Sequence, residues 1–180
     1  MIDPPAIRAV ALVHQEGVLA LIAVVGLSFG ETEILDALAP EGPILGSVAL
    51  GALTGAAWAG MWWVFRALAP LRRLERWQRG IVAEWTTTDA VLVALISGIA
   101  EEALLRAYLQ PLIGLMPAAA LFAVLHVVPD RKLWFWPIFA LASGVLLGVL
   151  FEFLGYPAAA AAHIVINLVA LLRLRLREGE

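Results

Sequence analysis

Ala90-Val-Leu-Val-Ala-Leu-Ile-Ser-Gly-Ile-Ala-Glu101-Glu102-Ala-Leu-Leu-Arg106-Ala-Tyr-Leu109 is the stretch from which the fold is read. It is long enough, at 20 residues, to cross a hydrocarbon core about 30 Å thick as a helix. Its charges stand together in the second half, where a bilayer tolerates them only with partners or water. Working outward, five more apolar stretches of comparable character appear, at about Ile7–Phe29, Ile44–Leu68, Leu112–Val128, Trp134–Leu154 and Pro157–Leu172. The whole chain of 180 residues is 62% hydrophobic and 15% charged, with a mean hydropathy of +0.90. A soluble domain carries about 25% charged residues, so lipid is the expected solvent. The expected fold is all-α, a single polytopic transmembrane bundle of about six spans over residues 1–180. Helices satisfy their own backbone hydrogen bonds in lipid, and no alternating ten-residue segments of a membrane barrel are present.

Charge sets the expected orientation. Residues 30–43 hold Glu31, Glu33, Asp36 and Glu41 and no Lys or Arg, whereas residues 66–89 hold Arg66, Arg72, Arg73, Arg76 and Arg79. Arg131 and Lys132 follow the fourth span, and Arg173, Arg175 and Arg177 follow the sixth. With Arg8, every basic residue except Arg106 then falls on one side, which the positive-inside rule makes cytoplasmic together with both termini. The expected location is an inner (plasma) membrane of bacterial type. Met1–Pro5, with Asp3 and two prolines, do not read as a cleavable leader. Trp62, Trp63, Trp77, Trp85, Trp134 and Trp136 stand near span ends, as interfacial anchors do. Leu71–Trp85 reads equally as an amphipathic surface helix or a solvated basic loop. Gly46, Gly51, Gly55 and Gly60 predict close helix contact in the second span, and Ala158–Ala162 reads as a small-residue helix surface.

The chain has no cysteine, which excludes disulfides, thiolate metal sites and a cysteine nucleophile. The small net charge of −3 does not point to nucleic acid. The remaining chemistry is concentrated in three places: Glu101, Glu102 and Arg106; Phe122 and His126; and His163 and Asn167. Carboxylates and arginine at a bilayer centre cost about 2.5–3.5 kcal/mol each by insertion. Glu102 and Arg106 are four apart and pair on one helix face, which reads as a structural ion pair. Glu101 points about 100° away, has no partner in its span and is free to face a polar cleft. His163 and Asn167 also share a face, and Phe122 lies one turn before His126 to orient it. A carboxylate beside a histidine activates water, and an imidazole with an amide stabilises an oxyanion. These are the parts for hydrolysing a peptide bond without a covalent intermediate. His14 and Glu16 read as an interfacial start of the first span, and Glu152 as a solvated boundary residue.

The ordered motifs EExxxR (Glu101, Glu102, Arg106), FxxxH (Phe122, His126) and HxxxN (His163, Asn167) resemble the CPBP family. This family comprises CAAX-protease and bacteriocin-processing (Abi) membrane proteins and includes the type II CAAX prenyl endopeptidases. The resemblance covers about residues 85–172 and implies a catalytic core there. It implies an intramembrane endopeptidase acting on a membrane-associated peptide or protein. Glu101 would activate water with help from His126, and His163 and Asn167 would stabilise the oxyanion. Glu102, Arg106 and Phe122 would support the site. No cofactor is implied, although Glu101, His126 and His163 are donors that zinc accepts. The expected partners are membrane lipid and that peptide or protein substrate. Two other functions employ the same residues: a non-catalytic membrane scaffold, and a small proton-coupled transporter.

Overall fold

The computed structural model describes residues 7–30, 32–65, 68–128 and 130–176, without the side chains of Trp63 and Leu176. The readings made on Met1–Pro5, Glu31, Arg66, the Trp63 side chain and Arg177 lie outside the described residues. The described chain is helical, as expected: α1 (Ala9–Ser28), α2 (Ile34–Ala37), α3 (Ile44–Phe65), α4 (Ala69–Ile81), α5 (Thr87–Glu102), α6 (Gln110–Ile113), α7 (Leu115–Leu125), α8 (Phe135–Leu154) and α9 (Tyr156–Leu176). A π-helical segment, Ala103–Leu109, joins α5 to α6, and a short 3-10 turn, Arg131–Leu133, precedes α8.

Four of these helices, α1, α3, α8 and α9, are long and apolar enough to cross a membrane. The third expected span is a helical run whose α, π and α sections follow one another without a break. The fourth expected span is shorter than its apolar stretch. α7 has 11 residues and rises about 16 Å, because Gly114 at φ +87° breaks the helix before it and His126 caps it. Gly155 at φ +79° makes the same kind of break between α8 and α9. There it lies in an isolated bridge with Pro40, and the Glu41 amide donates to the Leu154 carbonyl at 3.3 Å.

Small residues decide the central contact. α3 and α9 pack together most extensively. A side chain added at Gly51 or Gly55 would place its Cβ 2.8 Å from Ala158 Cα or 2.9 Å from Ala162 Cα. Gly46 and Gly60 have open space instead, so only the middle pair of the four glycines works as the sequence suggests. Gly55→Val is therefore expected to destabilise the bundle by about 1–3 kcal/mol through overpacking, and Gly60→Val by much less. Detergent-titrated unfolding of both variants checks this, and equal stability would refute the assignment.

Ahead of the third span, Thr86 and Asp89 form a reciprocal capping box. The Asp89 amide donates to Thr86 Oγ1 at 3.1 Å, and the Thr86 amide donates to Asp89 Oδ2 at 2.8 Å. These bonds, the backbone one foremost, hold the exposed Asp89 carboxyl below its ordinary range. Leu71–Ile81 belongs to α4, with Leu71 and Leu74 buried, so the helix reading of this stretch holds and the loop reading does not. Trp85 is not an interfacial anchor. It is 3% exposed, and its Nε1–H donates to the Ile7 carbonyl at 2.7 Å, tying the entry of α1 to the entry of α5. Trp134 remains 63% exposed, as an anchor would.

Candidate active site

The third span places its two glutamates in different surroundings, as their 100° separation requires. Glu102 points into protein. It and Arg106 are both fully buried, with Arg106 Nε donating to Glu102 Oε2 at 3.0 Å. The second oxygen of Glu102 lies 2.8 Å from His163 Nδ1. A carboxylate only accepts, so Nδ1 of His163 carries a proton and donates. Glu102 thus bridges α9 to the π segment. Arg106 sits over the Phe122 ring at 5.6 Å, a cation–π distance, while its Nη1 and Nη2 have no hydrogen-bond partner among the described residues.

Glu101 faces the other way, into a cavity of about 620 Å³. It is 9% exposed, and its Oε2 has no partner among the described residues. His126, Asn167 and Ser97 line the same cavity, as do Trp58, Trp62 and Trp136. Glu102, Arg106 and His163 are not among its lining residues. The cavity therefore collects Glu101, His126 and Asn167, while His163 sits in the buried ion-pair layer behind.

His126 is not inside a helix. It is the C-cap of α7, and its Nδ1 lies 2.8 Å from the Phe122 carbonyl, one of the carbonyls a helix end leaves without an internal partner. A carbonyl only accepts, so Nδ1–H donates and Nε2 of the neutral ring carries the lone pair. Phe122, 3% exposed, stands between the two histidines, with ring centroids 4.5 Å from His126 and 5.5 Å from His163. Trp136 contacts His126 edge-on at 5.4 Å. It also stacks with Phe139, against which Trp62 packs at 5.0 Å, so Trp62 and Trp136 build the cavity wall. On α9, Asn167 Nδ2 donates to Ser97 Oγ at 2.9 Å.

Three buried polar residues, Ser97, Gln110 and Glu16, lie outside the three sequence motifs. Ser97 lies one turn before Glu101 and holds Asn167; that spacing is a usable signal. Gln110, 4% exposed, donates to the Gly148 carbonyl and to Glu152, both at 3.1 Å, locking α6 to α8. Glu16 is a correction. It is 5% exposed and lines the cavity, because α1 packs on α5 and turns that face inward. Its neighbour His14 stays exposed. For the zinc alternative, His163 lies outside the cavity that Glu101 and His126 line. Glu101, His126 and His163 do not converge, and no group of three or more His, Asp or Glu side chains suited to a metal occurs among the described residues.

A helical integral membrane protein with an imidazole and carboxylates around an internal cavity is the class that this fold and geometry define. Residues 83–169 match the family model described as type II CAAX prenyl endopeptidase, Rce1-like, and form a domain of that family. All three motifs lie inside the matched segment. Comparison with curated proteins and with solved structures gave no match. Membership in a protease family implies a protein substrate.

Proposed function

We propose that the chain is an intramembrane endopeptidase in which Glu101 activates water for attack on a peptide carbonyl. The observation that carries this reading is the unpartnered Glu101 carboxylate oxygen facing the same cavity as His126 and Asn167. Glu101 takes a proton from water as the hydroxide oxygen bonds to the carbonyl carbon. That proton then passes to the departing nitrogen as the C–N bond breaks. His126, with Nδ1–H fixed on the Phe122 carbonyl, offers the Nε2 lone pair to hold the same water. Asn167 has one N–H engaged with Ser97 and a second to offer the oxyanion. His163, with Nδ1–H on Glu102, donates to an oxyanion only from Nε2. That requires its doubly protonated form, for which Glu102 is the counter-ion. Glu102 and Arg106 orient His163.

The test is cleavage by purified protein in lipid vesicles, offered membrane-anchored peptides with and without a prenyl group. Wild type is expected to cleave, and His126→Gln to lose about 10²-fold in kcat with KM little changed. Failure of wild type on every peptide, or a His126→Gln variant with undiminished kcat, overturns the reading. The fully buried Glu102, Arg106 and His163 network favours one second reading, a scaffold held by these polar contacts. That reading expects Glu101→Gln to leave the protein's cellular phenotype intact.

A further inference from the structure

Glu16 has no role in the steps above, yet it is a carboxylate on a lipid-crossing helix that faces inward. It is 5% exposed, its Oε2 has no hydrogen-bond partner among the described residues, and it lines the cavity that Glu101 lines. Among the described residues, Glu101 Oε2 is the other buried carboxylate oxygen in this state. Two carboxylates turned toward one largely apolar cavity do not both ionise cheaply, since like charges and poor solvation each oppose the second charge. Such pairs titrate together rather than singly.

His126, at the end of α7, is the imidazole that shares the cavity with them, with its Nδ1 on the Phe122 carbonyl; the charged groups around them are engaged elsewhere. From α5, Glu102 is committed to Arg106 and His163. From the π segment, Arg106 is committed to Glu102, and Tyr108 meets α1 at Gly26, about 15 Å along the helix from Glu16. Asp36, on α2, follows the far end of α1. From α9, His163 acts on Glu16 electrostatically, as Glu101 does from α5, but its Nδ1 is on Glu102. At the α4 side of the cavity, Glu75 pairs with Arg79 and Arg173.

We propose that Glu16 is a positioning residue that shares one proton with Glu101 across the cavity, so that the pair carries a single negative charge. Glu16 holds the proton and, as a neutral donor, orients the Glu101 carboxylate directly or through cavity water. Ionisation of Glu16 at alkaline pH then sets a second negative charge beside the developing oxyanion and slows the reaction. The kinetic consequence rests on the role proposed for Glu101; the shared proton does not.

Infrared spectroscopy of the full chain in lipid nanodiscs separates the two. Wild type near neutral pH is expected to show a protonated-carboxyl C=O band that is absent in Glu16→Gln and retained in Glu101→Gln and Glu16→Asp. In the peptidase assay, Glu16→Gln is expected to lose the alkaline limb along which wild type falls about tenfold per pH unit. A purely structural role would reduce folded yield without moving that limb. A band unchanged in Glu16→Gln, or a pH profile superimposable on wild type, overturns the proposal. Should Glu16→Gln fail to fold, absence of the band in wild type and Glu16→Asp does so as well. Should wild type cleave nothing while the band behaves as stated, the shared proton stands and the peptidase reading falls.

Discussion

Glu101→Gln is expected to lower the cleavage rate about 10²–10⁴-fold, the range by which a positioned general base accelerates proton transfer. The substitution keeps size and hydrogen-bonding capacity and removes only the ability to take a proton from water. Glu101 has no ion-pair partner among the described residues, and its Oε2 is unpartnered, so the fold loses almost nothing with the charge. Stability in detergent should match wild type, and KM should change little because the loss falls on the chemical step. Single-turnover cleavage in vesicles, with unfolding measured on the same preparation, reads both quantities. Near-native turnover in Glu101→Gln would remove Glu101 from the mechanism. The neighbouring position serves as an internal control, since it has the same residue type in the same helix and a different environment.

At that position the expected effect is on stability. Glu102→Ala should cost about 3–5 kcal/mol, because breaking a buried pair from one side leaves the other charge uncompensated. Arg106 is fully buried, and both its Nη atoms already lack partners among the described residues, so loss of Glu102 removes the counter-charge its Nε contacts at 3.0 Å. His163 loses its Nδ1 acceptor in the same step, which unties α9 from the third span. Removing both charges together, as Glu102→Ala with Arg106→Met, should restore much of the stability; charge pairs replaced as a unit by apolar groups are often close to neutral. Unfolding in mixed micelles measures the cycle. A Glu102→Ala variant within about 1 kcal/mol of wild type would show that the network does not hold the bundle.

Much of this arrangement is legible along the chain. Apolar length and the scarcity of charge dictate helices in lipid. The four-residue spacing of Glu102 and Arg106 predicts their ion pair, and the 100° between adjacent helical residues predicts that Glu101 leaves that pair and faces elsewhere. Position in sequence misleads where tertiary packing decides burial. Glu16 and Trp85 stand near the starts of helices, where interfacial residues are expected, but α1 lies against α5 and turns both inward. The His163–Asn167 spacing predicts a common face, yet the partners differ: His163 meets Glu102, and Asn167 meets Ser97.

The amino-acid order by itself determined an all-helical membrane protein with three polar motifs on separate helices, because helix period and transfer cost act on each segment alone. The folded chain decided which of those polar groups share the cavity and which are sealed in the ion-pair layer. It also decided that the 27-residue helical run from Thr87 to Ile113 passes through a π segment, and that His126 ends a short helix with Nδ1–H on the Phe122 carbonyl. These outcomes depend on how closely the helices approach one another. That approach is fixed by Gly51 and Gly55 against Ala158 and Ala162, contacts between residues roughly a hundred positions apart that no local pattern encodes.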